Sequence, residues 1–175
     1  MPKVVLLYKD SPEFQQALEY WYQEWKVSFD ASGVKNLEDL KAYYMDKNNI
    51  TCYGYKDDVG TLIGTYSLML QGTSLYICDI YVIPSRRKEG IGSKMVKDAI
   101  DKAYEGGYQA VYLYSARSNV SWYAKRGFEE IREEAPDKVL MKARTVFYER
   151  RFPIHILLIV AGVIGIVTYI VCRFL

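Results

Sequence analysis

The 175-residue chain contains one histidine, three cysteines and almost no net charge. His155 lies near the C-terminus, so the preceding residues cannot supply a Ser-His-Asp triad, a Cys-His pair or a cluster of histidine ligands, and no metal site is expected. Cys52, Cys78 and Cys172 are far apart and lack the C-x-x-C spacing, which argues against a disulfide framework. The balance of 23 Lys and Arg against 21 Asp and Glu does not favour nucleic-acid binding.

One long apolar run stands at the C-terminal end. Residues 153–172 carry no formal charge, and as a helix they would be about 30 Å long, the thickness of a bilayer core. Arg173 alone follows the run, whereas four basic residues precede it closely: Lys142, Arg144, Arg150 and Arg151. The run is therefore predicted to be a tail anchor, and the positive-inside bias places the preceding domain in the cytosol. We expect a cytosolic catalytic domain at 1–145, a basic juxtamembrane linker at 146–152, a transmembrane helix at 153–172 and a short tail at 173–175.

The anchor also suggests a way for two copies of the chain to associate. Ala161 and Gly165 form a small-xxx-small pair, a spacing that is typical of paired membrane helices. A homodimer is therefore one candidate assembly, although such pairs are frequent in membrane spans.

The stretch Arg87 to Lys94 reads Arg-Lys-Glu-Gly-Ile-Gly-Ser-Lys. Leu75 to Ile83, rich in β-branched and aromatic residues, precedes it as a predicted buried strand. An amphipathic helical pattern follows, with apolar residues at Met95, Val96, Ala99, Ile100 and Ala103. Glycines at a helix N-terminus leave backbone N–H groups and the positive end of the helix dipole open to a phosphate. The loop therefore predicts a phosphorylated cofactor.

Spacing separates the phosphate motifs that compete for this loop. The Walker order is absent, because Gly92 is followed by Ser and then Lys rather than by Lys and then Ser or Thr. The dinucleotide fingerprint needs a third glycine where Met95 stands. The remaining pattern is Arg-x-x-Gly-x-Gly at Arg87, Gly90 and Gly92, which resembles the acetyl-CoA loop of the GNAT superfamily of N-acetyltransferases.

A second segment, Ser118 to Phe128, resembles the same family. It contains Trp-Tyr-Ala-Lys-Arg-Gly-Phe, similar to the family's aromatic-Tyr-x-Lys-x-Gly-Phe element. A predicted strand at 109–114 lies between the two motifs, as a parallel βαβ unit requires. The resemblance covers residues 3–142. It implies an α/β (α+β) chain with the GNAT acyl-CoA N-acyltransferase fold, a mixed central sheet flanked by helices.

Local patterns predict the elements before and after these motifs. The predicted order is βααβββαβαββ, and the resemblance implies a sheet that splays between its fourth and fifth strands. Ser11 and Asn36 are the expected N-caps of the first two helices. The remaining strands are predicted at 3–8, 51–55, 61–70 and 138–142.

The resemblance also implies acetyl-CoA as cofactor and assigns residues to it. A backbone N–H near a bulge at Ile80 to Val82 is expected to polarise the thioester carbonyl, an effect worth about 3 kcal/mol. The residues expected to hold the cofactor are Ile80, Tyr81, Val82, Arg87, Lys88, Glu89, Gly90, Ile91, Gly92, Ser93 and Asn119.

Two side chains are the candidates for catalysis. Tyr123 occupies the family's tyrosine position, and a phenol with a pKa of about 10 can protonate a departing thiolate whose conjugate acid has a pKa of about 8.5. Asp79 is the one carboxylate of the fourth strand and the candidate base, although Cys78 stands where related strands carry glutamate. Asp79 could equally brace the strand while waters carry the proton, held by Tyr76, Tyr81 or Tyr114.

The sequence therefore predicts an N-acetyltransferase that moves an acetyl group from acetyl-CoA to a primary amine by direct attack. The expected acceptors are a protein N-terminus or lysine, a polyamine, or a small amine. Residues 26–47 are expected to line the acceptor side, where four acids either attract a cation or form a solvated helix face: Asp30, Glu38, Asp39 and Asp46. The alternative hypothesis is a catalytically inactive, membrane-anchored acyl-CoA-binding or interaction module, which Cys78 favours.

Overall fold

The computed structural model describes residues 3–145. The strands are β1 (Lys3–Leu7), β2 (Ile50–Lys56), β3 (Leu62–Gln71), β4 (Ser74–Val82), β5 (Ala110–Ala116), β6 (Phe128–Ala135) and β7 (Lys138–Arg144). The helices are α1 (Pro12–Ala31), α2 (Leu37–Asp46), α3 (Ile91–Glu105) and α4 (Val120–Ala124). This order confirms the predicted βααβββαβαββ, with element ends shifted by one or two residues.

The predicted membrane helix at 153–172 and its linker lie outside the described residues. Within residues 3–145, no helix is both long and apolar enough to cross a membrane.

The helices begin where capping chemistry predicts. The Ser11 hydroxyl accepts a hydrogen bond from the Phe14 N–H at 3.2 Å, and the Asn36 side chain accepts one from the Asp39 N–H at 2.9 Å. These bonds satisfy N–H groups that a helix start otherwise leaves unpaired. In contrast, α3 starts after Gly90, which has a φ of 77° and provides no capping side chain.

The seven strands form one mixed sheet in the order β1-β2-β3-β4-β5-β7-β6. All neighbours are antiparallel except β4 and β5. This parallel pair is joined only at its start, by Leu75 with Val111 and Tyr76 with Tyr112. Because pairing stops there, the later halves of β4 and β5 part, and the expected splay is present.

Each face of the sheet carries its own apolar core. On one face α3 packs through Met95, Val96, Ala99 and Ala103, and on the other face α1 packs through Phe14, Leu18 and Trp21. The Trp21 indole N–H donates to the Thr65 hydroxyl at 2.7 Å, so both buried polar groups are satisfied. Beyond Trp21, α1 is kinked at Trp25 and continues towards the gap between β4 and β5.

Candidate active site

Two clefts open beside the gap between β4 and β5. The first, the loop cleft, is about 450 Å³ and is bounded by the segment from Arg86 to Ser93, the end of β4 and α4. The second, the strand-gap cleft, is about 500 Å³ and lies between the separated strands under α1. Four residues line both clefts: Glu24, Ile80, Asn119 and Tyr123. The clefts therefore meet beside the bulged part of β4.

The loop before α3 has the backbone of an anion site. Lys88 and Gly90 both adopt left-handed conformations, with φ of 69° and 77°. Alternation of left- and right-handed residues turns successive N–H groups towards a common point, and the first N–H groups of α3 have no partner within the helix. A Cβ built on Gly90 would meet nothing within 4 Å. A ligand can therefore come close to the backbone of the loop at Gly90.

The structure brings most of the predicted cofactor residues together. The loop cleft is lined by Ile80, Tyr81, Val82, Arg87, Lys88, Gly90, Ile91, Gly92, Ser93 and Asn119. Glu89, also predicted, is not among the lining residues. Its carboxylate instead accepts from the Arg86 guanidinium at 2.9 Å. The roles of these residues in holding a cofactor stay predictions.

The Arg87 guanidinium is held by the protein rather than left free in the loop. Its Nε donates to the Val82 carbonyl and its Nη2 to the Glu24 carboxylate, both at 2.8 Å. It also lies over the Tyr81 ring, 5.6 Å from the centroid. These contacts tie α1, the end of β4 and the loop to one another.

Arg126 and Trp122 complete the wall opposite the loop. The Arg126 guanidinium stacks 3.4 Å from the Trp122 ring centroid, and its Nε donates to the Ser93 hydroxyl at 2.9 Å. A Cβ on Gly92 would lie 3.3 Å from the Trp122 ring, so the absent side chain lets α4 pack against the start of α3. Arg126 therefore places a cation next to the first turn of α3.

Four lining residues of the loop cleft were not predicted from the sequence: Glu24, Arg86, Trp122 and Arg126. Trp122 and Arg126 lie inside the second motif, so their proximity to Tyr123 was available as a signal. Glu24 is far from the loop in sequence, and nothing local marked it.

Asp79 sits in a bulge of β4. Thr65 pairs with Tyr81 and Ser67 with Cys78, so Asp79 and Ile80 together oppose Tyr66. Asp79 has a φ of 55°, and its extra residue suspends the usual alternation of faces. The bulge lies one residue earlier than the predicted range begins, and it includes Ile80.

The Asp79 carboxyl is consequently turned towards the α1 and α2 side of the sheet. It accepts hydrogen bonds from the Ser67 hydroxyl and from the phenol of Tyr44. Burial raises the pKa of Asp79, and the two donors oppose that rise. Asp79 also lines the strand-gap cleft. The same geometry suits a structural brace and a base that holds a proton, so both hypotheses remain.

Tyr123 stands where the two clefts meet and packs between two rings. Trp122 and Phe128 contact it edge-on, with centroid distances of 4.8 and 5.7 Å. Burial raises the pKa of Tyr123 to about 12, and the nearby Arg126 opposes the rise. The phenol is therefore a weaker acid than the value near 10 assumed from sequence, and it keeps its proton throughout the physiological range.

The two described cysteines are poor nucleophiles. Burial raises the pKa of Cys78 and the pKa of Cys52 to about 12, and in both cases the Asp79 carboxylate adds to the rise. Because the thiolate is the reactive form, both thiols are inert near neutral pH.

The acids expected to attract the acceptor are not at the strand-gap cleft. Asp30, Glu38, Asp39 and Asp46 are absent from its lining, and the Asp39 carboxylate accepts from the Lys35 N–H at 2.9 Å within the turn before α2. The residues of 26–47 that do line the cleft are Ser28 and Phe29, joined by the preceding Trp25. The role of this segment and of its acids in binding an acceptor stays a prediction.

A splayed mixed sheet with a candidate anion-binding loop at its gap agrees with the fold that the sequence motifs predicted for an acyl-CoA-dependent transferase. The chain belongs to the acetyltransferase (GNAT) family, whose sequence profile matches residues 14–128. It is an N-acetyltransferase, and its cofactor is acetyl-CoA. The open approach at Gly90, the left-handed residues of the loop and the cation of Arg126 fit a pyrophosphate there. No curated protein matches the sequence significantly.

Solved structures share the fold at low identity. A variant of spermidine N-acetyltransferase SpeG from Vibrio cholerae is 20% identical, with a TM-score of 0.64 over 85% of this chain and 98% of that one. The PaiA N-acetyltransferase from Thermoplasma acidophilum, in complex with coenzyme A, is also 20% identical, with a TM-score of 0.62 over 82% and 99%. An aminoglycoside 6'-N-acetyltransferase complexed with coenzyme A is 15% identical, with a TM-score of 0.63 over 82% and 97%.

Proposed function

We propose that the chain transfers an acetyl group from acetyl-CoA to a primary amine by direct attack, and that residues 153–172 hold the domain on the cytosolic face of a membrane. The observation that supports the transfer is the meeting of two clefts at Ile80 and Tyr123. One cleft has the chemistry of a pyrophosphate site and the other is free to admit an amine. The two substrates would thus approach each other beside the bulge of β4.

Bound acetyl-CoA supplies a thioester acetyl group and a thiolate leaving group. The loop from Lys88 to Ser93 would hold the phosphate oxygens through backbone N–H groups, with Arg126 adding charge. The β4 backbone near Ile80 offers a donor to the carbonyl oxygen. The Tyr123 phenol would give its proton to the sulfur as the C–S bond breaks, and the proton that the amine nitrogen loses as the amide forms would restore the phenol through water.

Direct attack is favoured because neither thiol among the described residues is activated and none of those residues is a histidine. Both thiols, Cys52 and Cys78, have a pKa raised to about 12, and the one histidine of the sequence, His155, lies outside residues 3–145. A covalent route needs a thiolate or a nucleophile paired with a base. The amine itself is then the attacking group.

Initial-rate kinetics test this proposal on the full chain in detergent. With acetyl-CoA and a panel of primary amines, we expect amine-dependent thiol release and intersecting double-reciprocal plots, since both substrates must be bound before acetyl transfer. Parallel plots, together with amine-independent acetylation of the protein, would refute direct attack. Tight acetyl-CoA binding without transfer to any amine would instead support the inactive binding module.

The tether is proposed from the sequence alone. Residues 153–172 are uncharged and long enough for one crossing, and basic residues cluster on their N-terminal side. Deletion of 153–175 should release the protein from sedimented membranes.

Orientation can be tested with acceptor sites that the chain already carries. Asn49 and Asn119 each begin an Asn-x-Ser/Thr sequence. We expect no glycan at either, whereas an acceptor tag appended after Leu175 should be glycosylated. A glycosidase-sensitive mass shift of the untagged protein would reverse the proposed orientation.

A further inference from the structure

We infer that the amine acceptor carries a single positive charge on an apolar, preferably aromatic, body and has no anionic group beside the amine. This inference rests on the proposed function, because it describes the occupant of the strand-gap cleft during that reaction. It is supported by the charges and aromatic rings that line the cleft, together with the position of Glu24 where the two clefts meet.

The charged residues of the cleft favour one ammonium. Among the described residues that line it there is no Lys, Arg or His, and the only charged side chains are Glu24 and Asp79. Glu24 also lines the loop cleft, so its carboxylate stands where the reacting amine must arrive. Asp79 is already engaged by Ser67 and Tyr44. The Glu24 carboxylate is paired with the Arg87 guanidinium at 2.8 Å, and Arg87 is not part of this cleft's lining. The cleft therefore offers an ammonium one accessible carboxylate, shared with Arg87, at the reacting end.

The remaining wall is apolar and aromatic. Trp25 and Phe29 of α1 face the gap from one side and Tyr114 of β5 from another, while Ile77 and Leu113 contribute aliphatic surface. Burying an apolar body against such walls is favourable, and the faces of aromatic rings accommodate a cation. Lys138 packs over the Tyr114 ring, 4.4 Å from its centroid, but it is not part of the lining.

This lining discriminates against two classes of amine. A free amino acid would bring its carboxylate into a cleft without a cationic partner, and burying an unpaired carboxylate is costly. A diamine would bring a second ammonium among Ile77, Leu113 and Phe29, with the Asp79 carboxyl already hydrogen-bonded. A monoamine with an uncharged body meets neither penalty.

Matched amines test the inference on the full chain in detergent. The first set is 2-phenylethylamine, phenylalaninamide and phenylalanine, which share a ring and differ at the carbon that bears the amine. The second pair is pentylamine and 1,5-diaminopentane, which differ by one ammonium. After correction for the fraction of neutral amine, we expect kcat/KM for phenylalanine to be about 100-fold below that for 2-phenylethylamine. Phenylalaninamide should recover most of that loss, and the diamine should fall about 10-fold below pentylamine.

A charge introduced into the cleft provides a second, independent test. Ser28 lies on the exposed side of α1 and lines the cleft, and arginine is a good helix former. Ser28→Arg should raise kcat/KM for phenylalanine relative to 2-phenylethylamine by about 10-fold, because the guanidinium can pair with the carboxylate. Ser28→Gln, of similar length and without charge, should leave the ratio unchanged.

Equal kcat/KM for phenylalanine and 2-phenylethylamine in the unaltered protein, or preference for the diamine, would overturn the inference while leaving acetyl transfer intact. Absence of transfer to every amine, with acetyl-CoA binding retained by calorimetry, would overturn the proposed function and this inference with it. The two failures are therefore distinguishable in one set of assays.

Discussion

The Glu24 carboxylate accepts from the Arg87 guanidinium at 2.8 Å, which links α1 to the loop that precedes α3. Both side chains line the loop cleft, and Glu24 also lines the strand-gap cleft. The pair thus contacts the expected sites of both substrates. Each side chain is more than a third exposed, so the ion pair itself contributes little to folding. Its effect should appear in ligand binding.

Glu24→Gln should shift the two affinities in opposite directions. Loss of the carboxylate frees Arg87 and removes a negative charge near the pyrophosphate site, so Kd for coenzyme A should fall about 3-fold at low ionic strength. The KM for a primary amine should rise about 10-fold, because the ammonium loses its counter-charge. Calorimetry and initial rates measure the two effects. As a control, Glu19→Gln removes the same charge from an exposed position of α1 and should change neither the Kd for coenzyme A nor the KM for the amine. Weaker coenzyme A binding by Glu24→Gln would contradict the expected direction.

Gly90→Asp should abolish measurable coenzyme A binding while the domain stays folded. The carboxylate would project into the open side of the loop, where it opposes an anion. Left-handed backbone strain from a non-glycine residue is about 1 kcal/mol, and aspartate tolerates it better than most.

Gly72→Asp is the matched control for that change. Gly72 also has a positive φ, 57°, and open surroundings, but it lies in the turn between β3 and β4. Its variant carries the same strain and charge, so its coenzyme A affinity should equal that of the unaltered protein. If both variants bind normally, the loop is not the pyrophosphate site.

Local chemistry made much of this fold predictable. Ser11 and Asn36 mark helix starts through their own side chains, and the loop at Gly90 is recognisable because its spacing fixes which N–H groups are open. Long-range pairing was harder to foresee. The face of the sheet on which the Asp79 side chain lies depends on the bulge in the pairing of β4 with β3. The hydrogen bond between Glu24 and Arg87 joins residues that are 63 positions apart. The raised pKa of Tyr123 arises from the rings and strands around it, which no local pattern encodes.

Arg126→Gln should raise Kd for coenzyme A about 10-fold. The variant loses a cation beside the first turn of α3, where charge-assisted hydrogen bonds to phosphate contribute most. It also loses the stack on Trp122, so a small drop in melting temperature is expected. Lys125→Gln removes the same charge one residue earlier, at an exposed position outside both clefts. Equal losses in the two variants would indicate a general field effect rather than a contact of Arg126.

Asp79→Asn should make folding less sensitive to pH. Burial raises the pKa of Asp79 in the folded state, so the folded protein holds this proton more tightly than the unfolded chain, whose value is about 3.9. The stability linked to that proton is present below about pH 4 and is lost as pH rises towards the folded-state pKa. Asparagine cannot ionise and tolerates the left-handed backbone.

Relative to the unaltered protein, the stability of Asp79→Asn in denaturant titrations should therefore increase as pH rises above about 4. A stability difference between the two proteins that does not grow with pH would show that the pKa of Asp79 is not raised in the folded state. Turnover at saturating substrates separates the brace from the base, because only a base would lose kcat and the acidic limb of its pH profile.

Tyr123→Phe should lower kcat about 100-fold with little change in coenzyme A affinity, because the phenol proton is needed only as the thiolate departs. A phenol with a pKa of about 12 stays protonated below pH 11. Ionisation of Tyr123 therefore does not produce an alkaline limb at pH 8 to 10. The kcat of the variant should be lower at every pH, with an unchanged dependence on pH. Tyr114→Phe removes another hydroxyl from the strand-gap cleft and should change kcat less than about 3-fold. A large loss in Tyr114→Phe with full activity in Tyr123→Phe would instead assign the acid role, directly or through water, to Tyr114.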